Sequence, residues 1–254
     1  MVLRIAAREL RLVLLSPMAW LVFAITQVMA AWWFLLLVEQ YRSHYEPLVV
    51  RANSPMGLND LVILPFFGSM LLLGALLLGA ALMAMRMLAE ERRSGSLQLL
   101  YSSPVRMLDI ALGKYLAAFG FIVLLALPWL LMPASLAGAT VLDVGRLLSA
   151  FLGVLLLGAA LCSVAVFASS LTAQPAVAAA LTVGIGVVLM GVNTGSGAIT
   201  GQEDAVTDYL ALLTHYEPMV QGVVRSSDVI YFLLLVIGFI GFTVRRLDAL
   251  RLQS

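Results

Sequence analysis

The sequence predicts an all-α membrane protein: six transmembrane helices, an N-terminal amphipathic interfacial helix ahead of the first, and short extracellular helices between the fifth and sixth spans. Three observations carry that prediction. Hydrophobic residues make up 62% of the 254 and charged residues 11%, against about 45–50% and about 25% in soluble domains. A soluble domain of this size cannot withdraw so much apolar surface from water. Six stretches free of Asp, Glu, Lys and Arg then run from Met18 to Val38, Leu61 to Met85, Tyr115 to Leu136, Leu147 to Leu171, Val177 to Asn193 and Val229 to Val244. Each is long enough, or nearly so, to cross a ~30 Å hydrocarbon core at ~1.5 Å per residue. In lipid every backbone N–H and C=O must be satisfied within its own segment, so such stretches are helices and not strands. Third, eleven of the fifteen basic residues fall on one face: Arg4, Arg8 and Arg11, then Arg86, Arg92, Arg93, Arg106 and Lys114, then Arg245, Arg246 and Arg251. Basic residues stay cytoplasmic, which places both termini inside, as an even number of spans requires.

The same arithmetic excludes other classes. With 15 basic and 14 acidic residues the net charge is +1, and nothing points to nucleic acid. Cys162, the single cysteine, rules out a disulfide framework or a CxxC metal site and reads as a small hydrophobe between helices. His44 and His215 have no matching ligand cluster, so both read as ordinary polar residues and no metal is expected.

Residues 1–17 resemble the start of a signal peptide, but the apolar stretch that follows is of full spanning length and lacks a small-residue cleavage site. Arg4, Arg8 and Arg11 fall within ~60° on a helical wheel, with Val2, Leu3, Ala6, Leu10, Val13 and Leu14 on the other side. Such a helix lies in the interface with its Arg stems reaching toward phosphates, and Ser16-Pro17 ends it. It is either a plain anchor or an elbow bearing on a cytoplasmic partner.

The longest cytoplasmic segment, residues 86–114, is RMLAEERRSGSLQLLYSSPVRMLDIALGK. Glu90, Glu91, Arg92 and Arg93 extend the second span as a charged helical turn, which Ser94-Gly95 breaks. Ser96 caps a short helix with Leu97, Leu99, Leu100 and Tyr101, and Ser103-Pro104 starts the next with Ser103 at the N-cap. Three leucines and a tyrosine amid charges are too apolar to lie free in cytosol. They make either a docking knob for another protein or an interfacial turn joining two spans. If the charged turn transmits motion, it contacts that protein or the N-terminal helix, with Arg4, Arg8 and Arg11 as partners; otherwise it is a solvated helix end.

At this loop the chain resembles the ABC-2 type permeases. Glu90, Glu91, Arg92, Gly95, Ser96, Leu97, Leu99, Leu100, Ser103, Pro104, Gly113 and Lys114 fall on positions of the family's pattern, while Gln98 stands where an acid is common. The resemblance extends over the whole chain, 1–254, as a single transmembrane permease domain. More narrowly, Ser16-Pro17 and HYEPMVQGVVRSSDVIYF before the last span are similar to the gliding-motility-associated permeases, with Tyr216 and Pro218 departing from that group's usual wording. The resemblance implies the membrane half of an ATP-driven exporter, its loop seated on an ABC ATPase subunit that binds ATP and Mg. The partners it implies are that ATPase, a second permease copy or a paralogue, the lipid bilayer, and a periplasmic or membrane-anchored accessory protein. It also implies the cytoplasmic membrane of a bacterium. The residues agree that the ATPase lies elsewhere. Lys114, the one lysine, is followed by Tyr115, and Leu108 stands where a GxxxxGK[ST] loop needs glycine, so the chain is not itself an enzyme. A non-transporting scaffold or force transmitter driven by the same ATPase shares every one of these motifs.

The outer excursion, residues 194–228, is acidic, with Glu203, Asp204, Asp208, Glu217 and Asp228. Val206, Tyr209, Leu210 and Leu213 recur at i, i+3, i+4 and i+7 as one helical stripe, and Pro218 opens a second short helix. By the family resemblance these form an outer gate; the alternative is a solvated lid. Small residues four apart, Ala75 and Gly79, Ala80 and Ala84, Gly158 and Cys162, Ala165 and Ser169, Ala180 and Gly184, allow close helix approach in lipid. No charge falls inside a span, and Gln27, Thr182 and Asn193 are the few polar groups at depth, against an ion-coupled carrier. A different class of reading makes Ser196, within Gly195-Ser196-Gly197, the nucleophile of an intramembrane hydrolase with His215 as its base. Its place near the membrane surface speaks against it.

Overall fold

The computed structural model describes residues 1–45, 57–94, 106–138, 142–200 and 209–251. Among them there are helices and no strand. We number the helices α1 (Val2–Leu14), α2 (Pro17–Gln40), α3 (Leu64–Phe67), α4 (Met70–Ala84), α5 (Glu90–Ser94), α6 (Met107–Ala134), α7 (Val144–Leu171), α8 (Pro175–Thr200), α9 (Leu212–Val220) and α10 (Ser226–Arg251). Five helical segments are long and apolar enough to cross a membrane: Pro17–Tyr45, Asn59–Arg93, Met107–Ala134, Val144–Leu171 and Ser226–Arg251. Pro175–Gly191 is a shorter apolar one. All six charge-free stretches of the sequence therefore lie on helices, and the chain is a multi-pass, all-α membrane protein.

α7 is the hub. Its apolar window is 72% buried, against 22% for α2, whose Trp20, Leu21, Ile25, Val28, Trp32 and Leu35 face outward. Small residues make that centrality possible, since a side chain would hold the neighbouring helices apart. A Cβ on Gly158 would stand 2.6 Å from Ile122 Cγ2 of α6, and one on Gly79 of α4 would stand 2.9 Å from Ile122 Cδ1. One isoleucine thus fills the space vacated by two glycines. A Cβ on Gly153 would likewise stand 3.1–3.2 Å from Met219 and Tyr216 of α9.

The second span is not one uniform helix. Asn59–Ile63 is a π turn, α3 follows, the chain breaks at Gly68 and Ser69, α4 runs to Ala84, and a second π turn, Met85–Ala89, leads into α5. Its 35 residues reach about 50 Å at ~1.5 Å per residue, well beyond a ~30 Å core. Each interruption leaves backbone groups that lipid cannot satisfy. Ser69 answers part of this locally by capping α4, its hydroxyl accepting from Leu72 N–H at 3.3 Å. Between the first and third spans Gln27 Nε2 donates to Leu125 O at 2.8 Å, three residues before Pro128 within α6.

Several expectations need correction. The spanning helices reach past the charge-free stretches, so α6 carries Lys114 and α10 carries Asp228, exposed by only 1% and 4%. Charges are therefore buried in spanning helices, near their ends, where partners from neighbouring elements hold them. On α1, Gly113 and Gly120 of α6 draw in Ile5 and Leu10, while Leu3 of the apolar side is 76% exposed. Tyr209, Leu210 and Leu213 do not share one continuous helix. Backbone at Ala211 is extended (ψ 124°), and α9 starts at Leu212. Pro218 lies inside α9 and opens no second helix. Val206 lies outside the described residues, as do Gly95, Ser96, Leu97, Leu99, Leu100, Tyr101, Ser103 and Pro104 of the loop.

Candidate functional site

The end of the bundle that holds the N-terminus and Lys114 is tied together by one buried cation. Glycine at position 113 lets α1 lie against α6, since a Cβ there would fall 2.7 Å from Ile5 Cγ2. That approach brings Glu9, on the packed face of α1, to 3.6 Å from Lys114 Nζ. From the other side Glu91 of α5 reaches the same Nζ at 2.7 Å. Met87 O, a carbonyl of the π turn, lies 3.5 Å away. Three elements distant in sequence thus meet on one ammonium group: α1, the base of the second span, and the start of the third. Lys114 is nearly fully buried, while Glu9 and Glu91 keep 14% and 21% exposure. A lysine in this place survives only because its carboxylates are in contact with it.

The neighbouring Arg92 closes the fourth side. Its Nη1 donates to Ser170 O at 2.9 Å, one of the last carbonyls of α7, where a helix has acceptors without intrahelical donors and a partial negative charge. Just inward, Ser169 of α7 enters the backbone of the second span. Its Oγ accepts from Leu88 N and Ala89 N at 2.9 Å each and donates to Ala84 O at 2.7 Å. One hydroxyl thus replaces helix hydrogen bonds where the ladder widens into the π turn, an insertion of the kind that makes such turns hinges.

The expected charged turn is therefore real but differently wired. Glu91 and Arg92 turn inward, and Glu90 and Arg93 are exposed. Glu91 pairs with Lys114, not with Arg4, Arg8 or Arg11, all three of which lie on the exposed face of α1. The link to α1 runs through Glu9. Sequence reasoning missed Glu9, Lys114, Ser169 and Ser170. A lone lysine beside glycine, one helical heptad from Gly120, was the available signal.

At the opposite end α9 fastens the other interruption of the same span. Tyr216, 2% exposed, donates its hydroxyl to Phe67 O at 2.8 Å, next to the Gly68–Ser69 break. Burial pushes the Tyr216 phenol up, which keeps the proton that this bond needs. α9 ends in a Schellman turn: Val223 N donates to Pro218 O at 2.8 Å and Gly222 N to Met219 O at 3.1 Å, with Gly222 at φ +95°. A Cβ at Gly222 would stand 2.6 Å from Arg146 Cγ, so glycine serves both the turn and the passage of Arg146. Arg146 bridges to Asp60 at the top of the second span, and Ser149 Oγ donates to Met219 O at 2.8 Å.

His215 is no ordinary polar residue here. Its Nδ1 lies 2.8 Å from Asp228 Oδ1 and its Nε2 3.1 Å from Tyr209 O, while its ring stacks on Tyr231 with centroids 4.0 Å apart. Tyr231 in turn donates to Leu210 O at 2.7 Å. Tyr209 and Leu210 are thereby pinned by their carbonyls with side chains exposed, and Leu213 lines a cavity of about 230 Å³ beside Gly68, Met70 and Glu217. For the hydrolase reading this is unfavourable, since the nitrogen that would serve as base faces a backbone carbonyl. No group of three or more His, Cys, Asp or Glu suited to a metal occurs among the described residues.

An α-helical bundle with several long apolar helices, whose second span is interrupted at both ends and fastened there by other helices, is a multi-pass membrane protein. The chain belongs to the ABC-2 family of transporter proteins, whose model matches residues 3–248. Members are transmembrane components and not themselves catalytic, and the family implies partnership with an ABC ATPase subunit. Comparison with curated proteins gives no match.

Proposed function

We propose that this chain is the permease subunit of an ABC exporter in a bacterial cytoplasmic membrane, with six spans, both termini inside, and α9 in an outer gate. A separate ATPase binds ATP and Mg, and a second permease copy or a paralogue completes the pathway; the gliding-motility-associated group is the proposed subgroup. The loop from Gly95 to Pro104 seats on the ATPase, and its motion enters the bundle through α5. The observation that carries this reading is the second span itself. At its base Glu91 and Ser169 connect it to α1, α6 and α7; at its top Tyr216 connects it to α9. α4 between them is an uninterrupted rod. A push on α5 therefore reaches the far end through one element, with hydrogen-bonded joints that exchange partners rather than stretch.

The test is co-purification of the tagged chain with an ABC ATPase, followed by ATP turnover of the complex. Leu97, Leu99 and Leu100 together changed to Ser leave insertion intact, since none lies in a span. The change removes about 1.5–3 kcal/mol of buried apolar side chain per position from the docked state. The ATPase should be lost from the purified material. Unchanged co-purification would remove the loop as the docking element.

A further inference from the structure

Among the described residues, three guanidinium groups of α1 have no salt-bridge partner. Arg4, Arg8 and Arg11 are exposed, and none of the salt bridges among the described residues reaches them. The one acid of α1, Glu9, is turned the other way, onto Lys114. Leu12 and Leu15 stand exposed beside the arginines, so this face is at once cationic and apolar, as a helix lying among headgroups must be.

One turn beyond Arg11, where the apolar side of the helix begins, Leu14 edges a cavity of about 120 Å³. Its other walls are Ala19, Trp20 and Phe23 of α2 with Phe121 and Leu124 of α6, all apolar. Trp20 and Leu124 are 57% and 41% exposed, which opens the slot sideways toward lipid rather than into the bundle. The Trp20 indole N–H donates to Leu14 O at 2.6 Å, holding the rim closed at the end of α1.

We propose that this is a built site for one anionic phospholipid of the adjoining leaflet, with its phosphate on Arg8 and Arg11 and an acyl chain in the slot. Guanidinium groups bind phosphate oxygens in a fork, and the apolar slot a turn away accepts a chain leaving that headgroup. A zwitterionic lipid fits the slot but lacks the net charge, and a soluble phosphate lacks the chain. Because α1 is clasped to α6 through Lys114, the bound lipid would steady the same end of the bundle that meets the loop.

Trp20 reports the occupant directly. Purified full-length protein in mixed micelles is titrated with phosphatidylglycerol or phosphatidylcholine, each carrying dibrominated acyl chains, and the Trp20 signal is taken as the difference from Trp20→Phe. The phosphatidylglycerol should quench Trp20 at about tenfold lower mole fraction, as two surface arginines imply. Arg8→Gln with Arg11→Gln should bring it to the phosphatidylcholine level, and Ala19→Leu, which fills the slot, should leave only the equal quenching that both lipids give at the exposed indole. Protection of buried Cys162 from a maleimide verifies that each variant is folded. Equal quenching by the two lipids, indifference to the arginine substitutions, or competition by glycerol phosphate would each overturn the proposal.

Discussion

Lys114→Met tests the clasp most directly. Methionine keeps the length of the lysine stem and its contacts in the bundle while removing the ammonium group. Glu9 and Glu91 then lose the cation on which both converge, at 3.6 and 2.7 Å. Removing one partner of a fully buried pair costs ~3–5 kcal/mol, because the remaining charge is left in low dielectric. The two carboxylates here retain 14% and 21% exposure, and the water that reaches them brings the expected loss to about 2–3 kcal/mol. At ~2–4 °C per kcal/mol for a chain of this length, Tm should fall by about 5–10 °C. The assay is built into the protein: Cys162 is wholly buried and is the single cysteine, so a thiol-reactive dye added during heating reports unfolding. Adding Glu91→Gln to Lys114→Met removes one of the two carboxylates that faced the ammonium group and should restore part of the loss, whereas Glu91→Gln alone leaves Lys114 with Glu9. A Lys114→Met protein that melts within about 1 °C of the parent would refute the clasp, since even a half-solvated pair is worth more than that. So would a double variant less stable than the single.

Three further outcomes follow from the same geometry. Gly158→Ala drives a methyl into Ile122 Cγ2, 2.6 Å away, and should cost about 1–3 kcal/mol of overpacking that Ile122→Ala relieves in the double variant; the Cys162 melt reads both. Tyr216→Phe leaves Phe67 O without its donor, a loss of about 1–3 kcal/mol, and hydrogen exchange should rise near the Gly68–Ser69 break while the base of the span is unchanged. Asp228→Asn removes the carboxylate from His215 Nδ1 and should release α9, seen as faster exchange in residues 212–220 with α6 and α7 unaffected.

The spans were legible because their signal is collective: twenty-odd apolar residues in a row have one stable solution in lipid. The joints were not, because each rests on a single side chain whose partner is remote in sequence. Ser169 reads as the second half of a small pair with Ala165, yet its hydroxyl, not its size, is what the second span uses. For Glu91 the expectation was contact with a partner protein or with Arg4, Arg8 and Arg11 of the N-terminal helix, and the ion pair it forms here is with Lys114 of α6. Arginines spaced along an exposed stripe suggested themselves, and the pairing goes through Lys114 to Glu9 on the packed face. His215 and Asp228 are thirteen residues apart and look unrelated until α9 folds back over the start of α10. Pro218 was misplaced because proline opens helices more often than it ends them. Here the Schellman turn at Gly222 uses its carbonyl, which proline retains.

These joints share a physical logic on which the proposed coupling rests. A helix in lipid cannot lose hydrogen bonds to solvent, so a span that must bend needs substitutes for the bonds it gives up. The second span finds them in a serine of α7 at its base and a tyrosine of α9 at its top, each on a different element. Motion at either joint therefore moves the element that supplies the substitute, or breaks a buried bond at ~1–3 kcal/mol. That cost is small beside the free energy of nucleotide hydrolysis and large beside thermal energy, the range in which a joint stays closed until it is driven. The charged groups follow the same rule one step further out: Lys114 and Asp228 lie near the ends of their helices, where partners from loops and short helices reach them. The polar chemistry of the described residues is thus concentrated where the second span is interrupted and at the helix ends around it. Between these places, apart from Gln27 on Leu125 O, the described interhelical contacts are mainly apolar and shape-matched, as Ile122 is against Gly79 and Gly158.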